Sequence, residues 1–224
     1  MRHLEGVHVD SFSHYRRKFT EQVILSEKQV FIVEGYLKLA EVVGVPNVTF
    51  QKLADELNIS LGSIHYHFGS KDGPGLLDCA VMHVSQESIK YINFYIDRTL
   101  TDGSFRGLET YIKVLYDFCR IYPHHGRLWL YFYYLTIFET KERESNQNYI
   151  HLMRNRIEQV LTLGAGKGLY PKLRDVKELS EKIHFNLIGA LVIAGGDARD
   201  PRFEKAEATV IESCMAIVRS HQEM

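Results

Sequence analysis

Residues 48–71 read VTFQKLADELNISLGSIHYHFGSK, and the order of helix-start and helix-stop signals in this stretch decides the fold. Thr49 suits an N-cap, since its hydroxyl can accept a hydrogen bond from an amide of the first helical turn that has no partner within the helix. Val48 before it and Leu53 five positions on have the spacing of a hydrophobic staple. Leu53, Ala54 and Leu57 give this helix one apolar face, and Asn58 follows where a left-handed residue would end it. Ser60 then caps another helix, with Ile59 and Ile64 repeating the staple. In that second helix Ile64 and Phe68 lie at i and i+4 on the inner face, leaving Leu61, Gly62, Ser63, His65 and Tyr66 outward. Two short helices joined by a tight turn, with a third packed behind, make a helix-turn-helix, whose second helix enters the DNA major groove.

The outward side chains have chemistry suited to that groove. Gly62 lets the backbone approach DNA closely, Ser63 and His65 can exchange hydrogen bonds with base edges, and Tyr66 or His67 can reach a phosphate. Ser60 aims a helix N-terminus at phosphate, Lys52 and Lys71 can neutralise phosphates on either side, and Gln51 lies on the outer part of the first helix of the pair.

From Ile32 to Asp72 the sequence resembles, without a gap, the DNA-binding head of the tetracycline-repressor (TetR/AcrR) family of bacterial regulators. Gly44, Thr49, Leu53-Ala54, Ile59-Ser60, Gly62, Ile64, His67-Phe68 and Ser70-Lys71 carry the likeness. The resemblance implies a homodimer on double-stranded operator DNA, with the third helix of each subunit in the major groove. It also implies a variable C-terminal body that dimerises and binds a small effector. By position, Thr49, Gln51, Ser60, Gly62, Ser63, His65, Tyr66, His67 and Lys71 match residues that commonly touch DNA in that family. The expected function is therefore a repressor released from a palindromic operator by a small apolar or aromatic effector. Three departures stand out. His65 replaces a tyrosine, so its contact differs and weakens as the imidazole loses its proton. Asn58 replaces a glycine, and Gly73-Pro74-Gly75 interrupts the start of the fourth helix, where Pro74 fits the first turn with Gly73 as cap.

The whole chain fits this reading without suggesting it. A net charge of −1 over 224 residues means that any DNA-facing charge is a local patch. Within residues 1–71 eight Lys/Arg balance eight Asp/Glu, which keeps open a ligand-binding relative that has lost DNA affinity. The arm's Tyr15-Arg16-Arg17-Lys18 run can contact phosphate or a minor groove, or be only solvated. Cys79, Cys119 and Cys214 are isolated from one another, so neither a disulfide framework nor a zinc site is expected, and the setting is cytoplasmic. The first 25 residues lack a signal-peptide core. The apolar runs 128–138 and 187–194 are too short for a bilayer, so no membrane partner is expected.

Helical spacing dominates throughout, so the fold class is all-α, with helices expected at 27–43, 49–57, 60–68, 73–100, 105–121, 124–139, 144–164, 175–194 and 203–221. The domains follow as an arm (1–25), a three-helix head (26–72) and a larger helical body (73–224).

Between Ile89 and Met153 the body is rich in aromatic residues, and Tyr111, Leu115, Phe118, Trp129, Tyr133 and Met153 are the expected wall of an effector pocket. Core packing is the competing role for each of them. Ile183, Leu187, Ala190, Leu191 and Ala194 form one stripe, and Ala206, Val210, Cys214 and Ile217 another, expected to meet a second subunit unless they pack within their own. The resemblance implies a four-helix dimer interface at this end. Gly164-Ala165-Gly166-Lys167-Gly168 lacks the spacing of a phosphate loop and reads as a helix end and turn. No catalytic signature is present, and His124-His125 after Pro123 reads as an exposed helix start, not a metal pair. No enzyme activity, cofactor or metal is expected.

Overall fold

Ser26 opens the first helix of the computed structural model, which describes residues 24–70, 75–135, 137, 140–194, 198 and 200–222, the side chains at 140–146 and 148 excepted. The Ser26 hydroxyl accepts from the Gln29 amide at 3.3 Å, and the Gln29 side chain accepts from the Ser26 amide at 3.0 Å. This reciprocal box satisfies two amides that helix geometry leaves unpaired. Helix α1 runs Glu27–Val43 and stops at Gly44, whose φ of 82° no β-carbon favours. A 3-10 turn, Val45–Asn47, leads to α2 (Phe50–Leu57) and α3 (Leu61–Phe68). The remaining helices are α4 (Leu76–Thr101), α5 (Leu108–Ile121), α6 (Pro123–Leu135), α7 (Thr140–Gly166), α8 (Val176–Ile193) and α9 (Pro201–Ser220). Nine α-helices and no β-strand occur among the described residues, as the all-α reading requires.

Several expected boundaries move, each for a local reason. Helix α4 starts at Leu76, not at 73: the Gly75 amide donates to the Asp78 carboxylate at 3.1 Å, which closes the helix end there. Gly73 and Pro74, and with them the expected cap, lie outside the described residues. Helix α5 begins at Leu108, not at 105, because Gly107 has φ 65° and ψ −129°, which no α-helix accommodates. Helix α7 starts at Thr140, earlier than 144, through a polar stretch that shows no apolar stripe in sequence. It ends at Gly166, and Gly168 at φ 73° makes the turn in place of a phosphate loop.

Two apolar clusters organise the packing. The first joins α1, α2 and α3 through Ile32, Val33, Leu37, Leu53, Ile64 and Phe68, and continues into Cys79, Val81 and Val84 of α4 and Leu128 and Phe132 of α6. Gly35 brings α1 and α2 close: a β-carbon there would lie 2.5 Å from Leu57 Cδ2. The second cluster fills the body and includes Ile92 and Ile96, from the far half of α4. Helix α4, about 39 Å long at 1.5 Å per residue, thus lies in both cores.

The stripe expected to meet a second subunit is largely used inside this one. Ile183, Leu187, Leu191 and Ala194 of the α8 end, and Val210 and Cys214 of α9, are at most 5% exposed and belong to the body core. The apolar face that periodicity finds in these six is covered by the subunit's own α5 and α7. Ala190, Ala206 and Ile217 are half-buried at its margin.

Candidate nucleic-acid interface

The turn between α2 and α3 is built from backbone groups that find local partners. Thr49 Oγ1 accepts from the Lys52 amide at 3.2 Å and starts α2. Asn58 ends it in the left-handed region, at φ 51° and ψ 48°. The Ile59 amide returns to the Ala54 carbonyl at 3.0 Å, and Ser60 Oγ accepts from the Ser63 amide at 3.1 Å to start α3. Leu53, Ala54, Ile64 and Phe68 are at most 5% exposed, which fixes how both helices roll on α1 and α4.

That roll determines what faces out. Thr49, Gln51, Lys52, Ser60, Gly62, His65 and Tyr66 are exposed, while Leu61, Ser63 and His67 are half-buried. Tyr66 is 84% exposed, an unusual position for so large a side chain with no core to fill. The His65 ring lies edge-on to Phe50 of α2 at 5.1 Å, and His67 edge-on to Tyr66 at 5.0 Å, so the aromatic groups on α3 are braced by α2 and by one another. Gln51 donates to Asp55 at 2.7 Å, and Lys52 Nζ donates to the Asn47 carbonyl at 3.1 Å. A β-carbon at Gly62 would meet only Ser60 Oγ, at 3.9 Å, so nothing inside the protein demands glycine there. Lys71 and the run 15–18 lie outside the described residues.

The residues expected to wall an effector pocket fall into three places. Trp129, Tyr133 and Met153 surround a cavity of about 10 Å³ with Val81, Phe132 and Tyr149, where α4, α6 and α7 meet. Tyr111 and Leu115 are buried in the body core, and Phe118 packs on Tyr91 and on His125. Sequence reasoning missed a polar group beside the first set. Tyr111 and Arg156 lie close enough to perturb each other's ionisation, and the Arg154 charge lies close enough to act on the Tyr133 hydroxyl. Burial pushes the Tyr111 and Tyr133 hydroxyls up to about 12 and holds the Arg156 guanidinium below its ordinary value. The Tyr111 hydroxyl has no hydrogen-bond partner, an uncommon condition for a buried polar atom. Arg156 donates to Asn93.

On the outer side of α8 and α9 lies an apolar groove of about 590 Å³, lined by Phe185, Gly189, Ala190, Ile193, Ala206 and Thr209 among others. Phe185 is 62% and Ile193 76% exposed. The small residues Gly189, Ala190 and Ala206 leave room for another helix to approach.

His124 and His125 are not an exposed helix start. His125 is 2% exposed, and the His124 side chain 14%, because α1 covers them both: Glu34 and Glu41 of that helix face the two rings. Burial pushes His125 down to about 4. Burial likewise raises the Cys79 thiol to about 11 and those of Cys119 and Cys214 to about 12, so all three stay protonated and unreactive near neutrality.

Comparison with known proteins bears on this geometry. Residues 32–73 match the family model described as bacterial regulatory proteins, tetR family. No curated protein matches the chain. A transcriptional regulator from Rhodococcus sp. Rha1 superposes with a TM-score of 0.68 at 12% identity, covering 88% of this chain and 98% of that one. A TetR transcription regulator from Haloarcula marismortui ATCC 43049 gives 0.63 at 16% identity over 89% and 100%. Thermus thermophilus FadR, a TetR-family transcriptional repressor solved with lauroyl-CoA, gives 0.55 at 12% identity over 84% and 93%. At such identities the likeness speaks for the fold.

Proposed function

We propose that this chain, whose head belongs to the tetR family of bacterial regulatory proteins and whose fold is that of solved TetR-type regulators, represses transcription as a ligand-released homodimer on a palindromic operator. The observation that carries the reading is the outer face of α3. His65 and Tyr66 are exposed and Ser63 half-exposed on a helix whose inner face is locked by Ile64 and Phe68, and Gly62 has no internal reason to be glycine. Such a face gives base edges hydrogen-bonding partners and lets backbone approach the groove. With eight positive against eight negative charges in residues 1–71, affinity rests on where the charges sit, not on how many there are.

The groove on α8 and α9 supports pairing of two copies. Exposed Phe185 and Ile193 beside small Gly189, Ala190 and Ala206 provide a self-complementary apolar surface of the kind a two-fold dimer uses. Pairing there would set the distance between two α3 helices, which must match half-sites about 34 Å apart.

The effector reading centres on the cavity at Val81, Trp129, Phe132, Tyr133, Tyr149 and Met153. At about 10 Å³ it holds at most one water, whereas a ligand pocket of drug-like size needs roughly 300–1,000 Å³. An apolar or aromatic effector therefore has to part α4, α6 and α7 to enter, and that movement is the signal. The near half of α4 and two α6 residues belong to the head's core, so spreading them turns the head. Tyr111, close to Tyr133 of the cavity wall, has an unpartnered hydroxyl that can hold a polar end. FadR, of the same fold, was solved with an acyl-CoA, which makes long-chain acyl compounds the first to screen.

Selection of the full chain against a randomised duplex pool at two salt concentrations tests the reading. Recovery of one palindromic site, with affinity falling as salt rises, is the expected result. A folded dimer that enriches no sequence would refute it and leave the ligand-binding relative without DNA affinity.

A further inference from the structure

We propose that Glu34, His124 and His125 form a site for one divalent transition-metal ion that ties the head to the body. One ligand atom from each of the three lies within 4.8 Å of the others. They come from different helices: Glu34 from α1 in the head, and the two histidines from the first turn of α6. The cluster is formed by folding alone, since about 90 residues of chain separate Glu34 from His124.

An independent observation points into the site. His125 is 2% exposed, and neither of its ring nitrogens has a hydrogen-bond partner. A buried imidazole with both nitrogens unsatisfied forgoes the bonds that water would give it, so such groups are rare without a ligand or a bound solvent. Its Nε2 faces Glu34 Oε1 at 4.0 Å, too far for a hydrogen bond. The ring is held in place by stacking on Tyr122 at 5.1 Å and 12°, so its orientation does not depend on a polar partner.

The surroundings resemble an outer coordination shell. His83, on α4, donates from Nε2 to Glu34 Oε1 at 2.6 Å and orients the carboxylate, as groups behind metal-binding carboxylates commonly do. Glu41 stands 3.6 Å from His124 Nδ1 and is itself paired with Arg127 at 3.8 Å, so Glu34 is the carboxylate that meets the ion. Two imidazoles and a carboxylate favour zinc, cobalt, nickel or copper over magnesium or calcium, with a fourth position for water. Tetrahedral bonds of 2.0–2.1 Å set ligand atoms about 3.4 Å apart, so the three groups draw together by roughly 1 Å when the ion binds. That contraction pulls α1 onto α6 and restrains the head.

The ion site stands on geometry alone, and the effect on DNA rests additionally on the regulator reading. Cobalt(II) is the probe, added to metal-stripped, untagged full-length protein. One tight equivalent with the intense visible bands of tetrahedral cobalt is expected. Glu34→Gln and His124→Gln should each weaken it by more than about 100-fold, and His83→Gln, a positioning change, by about 10- to 100-fold. Glu34→Gln is isosteric and His124 is partly exposed, so both variants should fold, and far-UV circular dichroism without metal checks this. The sequence also has His3, His8 and His14, which can take up cobalt loosely. Tight binding that survives in both variants, or no tight equivalent in the wild type, overturns the site. Operator affinity measured with and without the ion is the second arm. A change in the wild type that Glu34→Gln lacks supports the tie, and equal affinities overturn it while the spectra still report on the ion.

Discussion

Gly62→Ala separates the two roles a recognition-helix glycine can have. Within the protein the added methyl group meets only Ser60 Oγ, at 3.9 Å, which is ordinary van der Waals contact. Gly62 sits inside α3 on its exposed side, and alanine loses less backbone entropy there than glycine. The variant should therefore be more stable, by about 0.5–1 kcal/mol. Against DNA the same methyl group stands where the backbone of α3 has to come close. Losing or displacing neighbouring base contacts should cost about 1–3 kcal/mol, a fivefold to 150-fold loss of affinity. The two effects have opposite signs, so no general loss of folding can imitate the result. Urea denaturation gives the first quantity, and fluorescence anisotropy with the duplex recovered from the selected pool gives the second. A Gly62→Ala protein that binds with wild-type affinity would refute the close-approach argument. A less stable variant would refute the placement of Gly62 on the open side of α3.

Tyr66→Ala, at an 84% exposed site, should leave stability within about 0.5 kcal/mol while weakening operator binding, whereas Ile64→Ala, fully buried one turn-face away, should cost about 2–5 kcal/mol; equal denaturation midpoints for the two would contradict the assigned faces. Phe185→Glu combined with Ile193→Glu puts charge on the apolar groove of α8 and α9 and should convert the protein to monomers in sedimentation velocity, and a dimer that persists at the same concentration would remove this face as the interface. Burial lowers His184 from 6.5 to about 4, with Arg154 adding to the shift and the Tyr133 hydroxyl 3.4 Å from Nε2. The unfolded chain then takes up a proton before the folded one, so this contribution is full above about pH 6.5 and is lost as pH falls toward 4, up to about 3 kcal/mol. His184→Gln should flatten the stability profile across that window by a comparable amount, and parallel profiles in urea melts would count against the assignment.

The head was legible because its determinants are local. Thr49, Asn58 and Ser60 act on amides two to five residues away, and the staples link neighbours in sequence, so the order of residues nearly states the geometry. The Gly35–Leu57 contact, which sets how closely α1 and α2 pack, was invisible, since it joins residues that only folding brings together. The same limit hid the histidine cluster. Pro123-His124-His125 looks like an open helix start until α1 covers it, and His83 meets Glu34 across 49 positions. On α8 the limit is of another kind. Periodicity identified Leu187 and Leu191 correctly as one apolar face, but apolar residues also occupy the other face, at Phe185 and Ile193. An amphipathic pattern says which residues avoid water and not whether their partner belongs to the same chain.

Helix α6 joins these features into one mechanism. Its first turn carries His124 and His125 against α1, its middle contributes Leu128 and Phe132 to the head's core, and Trp129, Phe132 and Tyr133 border the small cavity proposed for the effector. An ion on the first turn and an effector at the middle would then act on the same rigid element from different sides. Neither shifts the head unless it binds one α6 position better than another, and each can contribute only its difference in affinity between the two. Because both differences are expressed through one helix, the two ligands must be coupled. If the effector needs α6 to move away from α4 while the ion needs it held to α1, loading the ion should weaken the effector, and the effector should weaken the ion by the same factor.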